Sequence, residues 1–180
     1  RARFADNNIK ICNLGSSATL HYADPATRRK NLDEGRQFID LAHELGCPYV
    51  RVFPNNFPKD QEKQQTMDLI AEGLLELGGY AQAANVTVLL ESHGDLVYVN
   101  DIAYVLKKSE HSNVALIWDI FNMWSVTKEA PRDVFSVLKK YIRHAHIKDA
   151  NKAGDKYAYT FVGQGVVPLA EAIDSLKQIG

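Results

Sequence analysis

The sequence contains no apolar run approaching the roughly 20 residues needed to span a bilayer. A membrane-spanning role is therefore not expected. No glycine-rich phosphate fingerprint follows the first predicted strand, which argues against a nucleotide-binding doubly wound sheet. Cysteine is scarce: Cys12 and Cys47 lie near predicted strands and are spaced unlike any zinc or redox motif. They are expected to be small buried hydrophobes rather than a disulfide. Charge of one sign is also lacking. A formal net charge of −1 supplies no global field for nucleic acid or an acidic membrane, so neither is expected as a partner. The opening Arg1-Ala2-Arg3-Phe4-Ala5-Asp6 has no signal-peptide apolar segment, which points to the cytoplasm. An initiator Met is absent too, so a leader removed upstream is compatible with the sequence. No linker or low-complexity tract divides the 180 residues, and one domain spanning 1–180 is expected.

What is present is an alternation of strands and helices. Val86-Thr87-Val88-Leu89-Leu90 is β-prone and mostly apolar without alternating, the pattern of a strand covered on both faces. It ends in Glu91-Ser92-His93-Gly94. Val114 to Asp119 and Tyr141 to His146 repeat the design, each closing on a polar residue. Glu91 and Asp119 are 28 positions apart and Asp119 and His146 are 27 apart, one strand, one helix and two loops each time. The three side chains should share one rim.

Around these, strands are expected at Ile9 to Leu14, Pro48 to Pro54 and Tyr159 to Val162. Helices are expected at Pro25 to Leu45, Asp60 to Ala84 (weakened or bent by Gly78-Gly79), Asn100 to Lys108, Pro131 to Lys140 and Pro168 to Ile179. Gly15-Ser16-Ser17 reads as the start of a loop, and Asn151 to Lys156 as another. The alternation means a parallel α/β sheet. Polar residues at the ends of several successive strands favour a (β/α)8 TIM barrel over an open sheet, whose chemistry gathers at one switch point. About six βα units are counted, so the barrel is incomplete, with the first and eighth strands missing. Its two open edges would have to be capped or shared between subunits of a homo-oligomer.

A Glu, an Asp and a His on one rim offer mixed oxygen and nitrogen ligands that suit Mn²⁺, Co²⁺, Mg²⁺ or Zn²⁺. His144 and His146 are expected to face opposite ways, with His146 inward and His144 packed and hydrogen-bonded in the helix layer. Arg51 lies on a strand with no local partner and should meet a charge, either Glu91 or a substrate oxygen. His93 and Asn122 are placed to hydrogen-bond a substrate hydroxyl, and Lys148 and Asp149 to position substrate or bridge to neighbours. Trp118, Phe121 and Trp124 suit a sugar pocket, although core packing is the simpler use of Trp118.

Leu90-Glu91-Ser92-His93-Gly94, Trp118-Asp119-Ile120-Phe121-Asn122 and His144-Ala145-His146-Ile147-Lys148-Asp149 together resemble the xylose isomerase-like TIM-barrel superfamily. Gly163-Gln164-Gly165, before the last helix, is similar to that family's Gly-x-Gly. The resemblance covers roughly Ile9 to Ile179. It implies a divalent-metal site of Glu91, Asp119 and His146, with Glu91 also catalytic. The implied activity is a sugar, keto-sugar or polyol isomerase or epimerase, moving a proton through a metal-stabilised enediolate and taking a small carbohydrate as substrate. Arg51, His93, Asn122 and Lys148 are the expected substrate contacts. The epimerases' eighth-strand glutamate, which pairs with the first as acid and base, is not among these residues, so activity of this stretch alone is not expected. A non-catalytic or truncated sugar-binding barrel fragment is the alternative, and a keto-inositol dehydratase uses similar parts. The related AP endonucleases carry Asp and His where this chain has Tyr157 and Tyr159, which disfavours a trinuclear zinc site.

Overall fold

The structure, a computed structural model, describes residues 2–179. A short helix α1 (Ala2–Ala5) precedes β1 (Leu14–Thr19), α2 (Pro25–Leu45), β2 (Tyr49–Phe53), α3 (Lys63–Ala84) and β3 (Thr87–Glu91). Then come α4 (Val99–Lys108), β4 (Val114–Asp119), α5 (Ile120–Thr127), α6 (Pro131–Leu138) and β5 (Ile142–His146). A hairpin of β6 (Asp149–Ala153) and β7 (Lys156–Thr160) and a last helix α7 (Leu169–Leu176) complete the chain.

Strands β1 to β5 form one sheet in sequence order, every neighbouring pair parallel. An open doubly wound sheet reverses its order at a switch point, whereas a barrel winds steadily one way. This is an arc of a barrel. Its two faces differ as a barrel wall requires. Val50, Val52, Val88, Leu90, Leu116 and Trp118 are buried in the main core with Leu32, Ile39, Ile70, Leu74 and Leu77 of α2 and α3. On the other face Leu89, Ala115 and Ile117 make a small apolar layer with Tyr49. Glu91 and Asp119 lie two residues beyond Leu89 and Ile117, hence on that same inner face.

Local chemistry sets the helix ends. Asp24 Oδ2 accepts the Thr27 N–H at 2.8 Å and Pro25 takes the first helical position of α2. Gly46, at φ +70°, ends that helix, and Cys47 N–H returns to the Ala42 carbonyl at 2.8 Å. Asn85, at φ +54°, does the same for α3.

Three expectations need correction. The first strand is Leu14–Thr19 and not Ile9 to Leu14. Its serines behave as strand residues because distant groups satisfy them: Ser16 Oγ donates to the Arg51 carbonyl at 2.6 Å, and Ser17 N–H and Oγ donate to Glu34 Oε1 at 2.8 and 2.6 Å. Among the described residues the parallel strands number five, since Tyr159 to Val162 forms no sixth one. Lys156–Thr160 instead pairs antiparallel with Asp149–Ala153, Gly154 turning the hairpin at φ +63°. Cys12 is exposed, while Cys47 is buried as expected, and both are free thiols. An unexpected helix, α5, starts directly after Asp119.

Gly78 and Gly79 sit inside one uninterrupted helix but in opposite environments. A Cβ on buried Gly78 would lie 2.6 Å from Val114 Cγ2, a stiff β-branched neighbour, and 3.2 Å from His111 Nδ1. A Cβ on exposed Gly79 would meet nothing within 4 Å. Gly78→Ala should destabilise the protein by about 1–3 kcal/mol through overpacking, whereas Gly79→Ala should stabilise it by roughly 0.5–1 kcal/mol. Urea unfolding of the two variants checks both signs.

Candidate metal centre

Strand register brings the rim residues together. Glu91 closes β3, opposite Ile117, and Asp119 closes β4, opposite His146 at the end of β5. One donor atom from each of Glu91, Asp119 and His146 lies within 4.8 Å of the others. His146 Nδ1 is 2.9 Å from Glu91 Oε1 and 3.7 Å from Asp119 Oδ2. Glu91 is 3 % exposed and Asp119 0 %.

Each carboxylate divides its oxygens between scaffold and cluster. Glu91 Oε2 accepts from Arg51 Nη1 at 3.0 Å, leaving Oε1 toward His146. Asp119 Oδ1 accepts the Asn122 N–H at 2.9 Å, capping α5, so the simple capping role coexists with Oδ2 facing the cluster. Lys148 Nζ stands 2.6 Å from Asp119 Oδ2, an ion-pair contact without hydrogen-bond alignment, and Oδ2 is buried with no hydrogen-bond donor. Two buried carboxylates and an imidazole, each offering one donor atom within 4.8 Å of the others, fit a divalent cation. The mixed oxygen and nitrogen set suits Mg²⁺, Mn²⁺, Co²⁺ or Zn²⁺ rather than a soft metal.

The electrostatics are those of a tight charge cluster. Burial by itself would raise the Glu91 pKa, but His146 and Arg51 together bring it down to about 2. Asp119 and Glu91 raise His146 to about 9 against the opposing effect of burial. Without a metal, His146 is therefore an imidazolium at neutral pH, set with Arg51 and Lys148 against the two carboxylates. His144 shifts down, through burial first and the charge of His146 second.

His144 and His146 do not face opposite ways. Residues two apart on a strand share a face, and their rings meet edge-on at 5.7 Å. Arg51 meets Glu91, one of its two expected partners. Asn122 ties the loop after β4, its Nδ2 donating to the Ser92 carbonyl at 3.1 Å and its Oδ1 accepting from Lys148 Nζ at 3.2 Å. His93 lies edge-on to Phe53 at 5.3 Å with its Nδ1 buried and lacking a hydrogen-bond partner. Trp118 is buried against Phe135, in the core. Phe121 instead lies under the hairpin, its ring 5.7 Å from that of Tyr157 and 5.3 Å from that of Tyr159. Trp124 contacts Tyr157 at 5.8 Å.

One rim residue has a role that no sequence pattern marks. Buried Ser92 accepts the Asp119 N–H on its Oγ at 2.9 Å, tying the ends of β3 and β4; its position directly after Glu91 was the only hint. Asp149, read as a substrate or bridging residue, is a bridge. Its buried carboxylate accepts the N–H groups of Ala150, Gly163 and Gly165 at 2.9 Å and of Val167 at 3.3 Å. This explains the Gly-x-Gly. Gly163 adopts φ +87°, and a Cβ at Gly165 would collide with the Asp149 carboxylate.

The sequence profile of the xylose isomerase-like TIM barrel family matches residues 1–180, and the chain belongs to that family. Among curated proteins it is similar to fructoselysine 3-epimerase of Shigella flexneri, 25% identical over 171 residues that cover 92% of this chain and 61% of the epimerase. The chain thus spans about three fifths of the length of the curated relatives it matches. Among solved structures it resembles the IOLI protein with a bound zinc atom, at TM-score 0.86 and 20% identity, covering 99% of this chain and 67% of that one. It also resembles D-psicose 3-epimerase with D-tagatose from Clostridium cellulolyticum H10, at TM-score 0.82 and 20% identity, covering 99% and 64%.

Burial raises the pKa of Asp149 and the four backbone N–H groups lower it, with a net shift below the usual 3.8. A folded-state value below the unfolded one gives stability that is full above pH 3.8 and is lost as pH falls through the folded value. Asp149→Asn should cost about 1–3 kcal/mol at neutral pH by leaving buried N–H groups unpaired. The difference from wild type should shrink below about pH 4. Urea unfolding at both pH values, with amide exchange at Gly163 and Gly165, checks this.

Proposed function

We propose that these residues are the larger part of a metal-dependent isomerase or epimerase acting on a sugar, keto-sugar or related polyol. The observation that carries this reading is the convergence of Glu91, Asp119 and His146 within 4.8 Å at the ends of three consecutive parallel strands. The C-terminal end of the strands is where barrel enzymes place their chemistry. Similarity to fructoselysine 3-epimerase and to an epimerase holding D-tagatose supports a carbohydrate substrate, and the zinc-bound relative supports a metal.

Glu91 Oε1, Asp119 Oδ2 and His146 Nδ1 would hold the cation, His146 giving up its proton to do so. When bound, a divalent cation supplies Lewis acidity toward a substrate carbonyl and its neighbouring hydroxyl. Glu91, ionised and fixed by Arg51, accepts a proton from the carbon next to the carbonyl on one face, on the lone pair of Oε2 that Arg51 leaves free. The resemblance assigns the opposite face to a glutamate on a later strand, outside these residues. Lys148, held near Asp119 and Asn122, presents an ammonium to substrate oxygens. An AP endonuclease reading gains nothing, since Tyr157 and Tyr159 spend their rings on Phe121 and Trp124.

In the complete protein, Glu91→Gln should lower exchange of the substrate's α-proton with D₂O by at least ~10²-fold, the scale of a lost general base. Circular dichroism should stay native. Chelation should abolish the same exchange and Mn²⁺ or Co²⁺ restore it. A Glu91→Gln protein exchanging near the wild-type rate, or full exchange after chelation, would refute the mechanism.

A further inference from the structure

Arg51 has less freedom than a substrate-binding arginine needs. Its Nη1 donates to Glu91 Oε2 at 3.0 Å and its Nη2 to the Ser16 carbonyl at 2.7 Å. Ser16 is itself buried and its Oγ donates back to the Arg51 carbonyl at 2.6 Å. The register of β1 against β2 slips between Gly15 and Thr19, the stretch in which the Ser16 carbonyl turns to the guanidinium. The guanidinium carbon lies 4.8 Å from the centre of the Phe53 ring. Two strands and an aromatic face thus fix a planar fork whose outer end grips one particular oxygen of Glu91.

Resting on the metal-site reading above, we infer that Arg51 is a positioning residue that commits Glu91 Oε2 to the scaffold and leaves Oε1 alone for the cation. A carboxylate restricted to one oxygen favours small cations with few ligands over Ca²⁺, which takes six to eight oxygens and readily uses both oxygens of a carboxylate. Arg51 acts through Glu91 and sets which metal the rim accepts. Arg51 as a simple positive charge would instead weaken every divalent cation alike.

The test uses the complete protein, wild type, Arg51→Met and Arg51→Lys, titrated calorimetrically with Co²⁺ and with Ca²⁺, together with the visible absorption spectrum of bound Co²⁺. Arg51→Met should raise the affinity for Ca²⁺ relative to Co²⁺ by ~10-fold, the scale on which groups oriented around metal ligands act. The Co²⁺ spectrum should change with it. Arg51→Lys keeps the charge but loses the planar fork, and should shift the ratio in the same direction. It also carries the test should Arg51→Met fail to fold. Equal tightening of both cations with an unaltered Co²⁺ spectrum would overturn the inference and leave Arg51 a bystander charge. Wild-type protein that takes up no Co²⁺ would overturn the metal-site reading itself, an outcome distinct from the first.

Discussion

Two carboxylates buried at the ends of neighbouring parallel strands set the terms for everything around them. An ionised carboxylate taken out of water without partners is not tolerable in a protein of ordinary stability. Glu91 and Asp119 are both buried and converge on one imidazole. Their neighbours follow from that constraint. Arg51 reaches from β2, His146 from β5 and Lys148 from the loop beyond it, while Ser92 and the first turn of α5 hold the strand ends in place. Four neighbouring strands, β2 to β5, and the first turn of α5 are tied to one cluster, so the rim also joins the strands at that end of the sheet.

The parts legible in the sequence were those in which one physical effect dominates. Strands covered on both faces read as continuous apolar runs, and β3 and β4 were visible for that reason. Near-equal spacing of the polar residues that close the strands, 28 and 27 positions, then places Glu91, Asp119 and His146 on a common rim. Legibility failed where distant side chains override local preference. Gly15-Ser16-Ser17 has loop composition, and becomes strand because Glu34 and Arg51, far along the chain, supply its hydrogen bonds. The Asp149 carboxylate and its donors at 163–167 are likewise separated by a hairpin, and no local pattern marks such a pair. His144 departs from its expected facing for a plainer reason: a two-residue period places it beside His146.

The hairpin gives the rim a second layer. Lys148 and Asp149 are adjacent and look in different directions, one to Asp119 and one to the backbone of the Gly-x-Gly loop. Tyr157 and Tyr159 share a face of β7 and cover Phe121, while Lys128 Nζ sits 4.3 Å from the Trp124 ring centre and 4.6 Å from that of Tyr157. Helix α5 is thereby clamped between the Asp119 cap and an aromatic lining. Movement of the hairpin would be felt at Asp119 through two routes, the Lys148 contact and the packing of α5.

Whether the cluster is structure for its own sake can be argued from cost. Replacing a buried ion-pair network by well-packed apolar groups is often neutral or stabilising, so such a network is weak evidence of a stabilising role. A network built only to balance charge would also satisfy its acceptors. Here one acceptor has an ion-pair contact in place of an aligned hydrogen bond. Glu91 Oε2, Glu91 Oε1 and Asp119 Oδ1 all receive hydrogen bonds, but Asp119 Oδ2 receives none and has only the ammonium of Lys148 and the more distant His146 nearby. That oxygen lies where three donor atoms converge, on the inner face of the wall and at the end of the strands. A bound cation would satisfy that oxygen, displace the proton between His146 and Glu91, and leave Arg51 and Lys148 as the flanking charges. Each member of the network then has a use that charge balance alone does not supply.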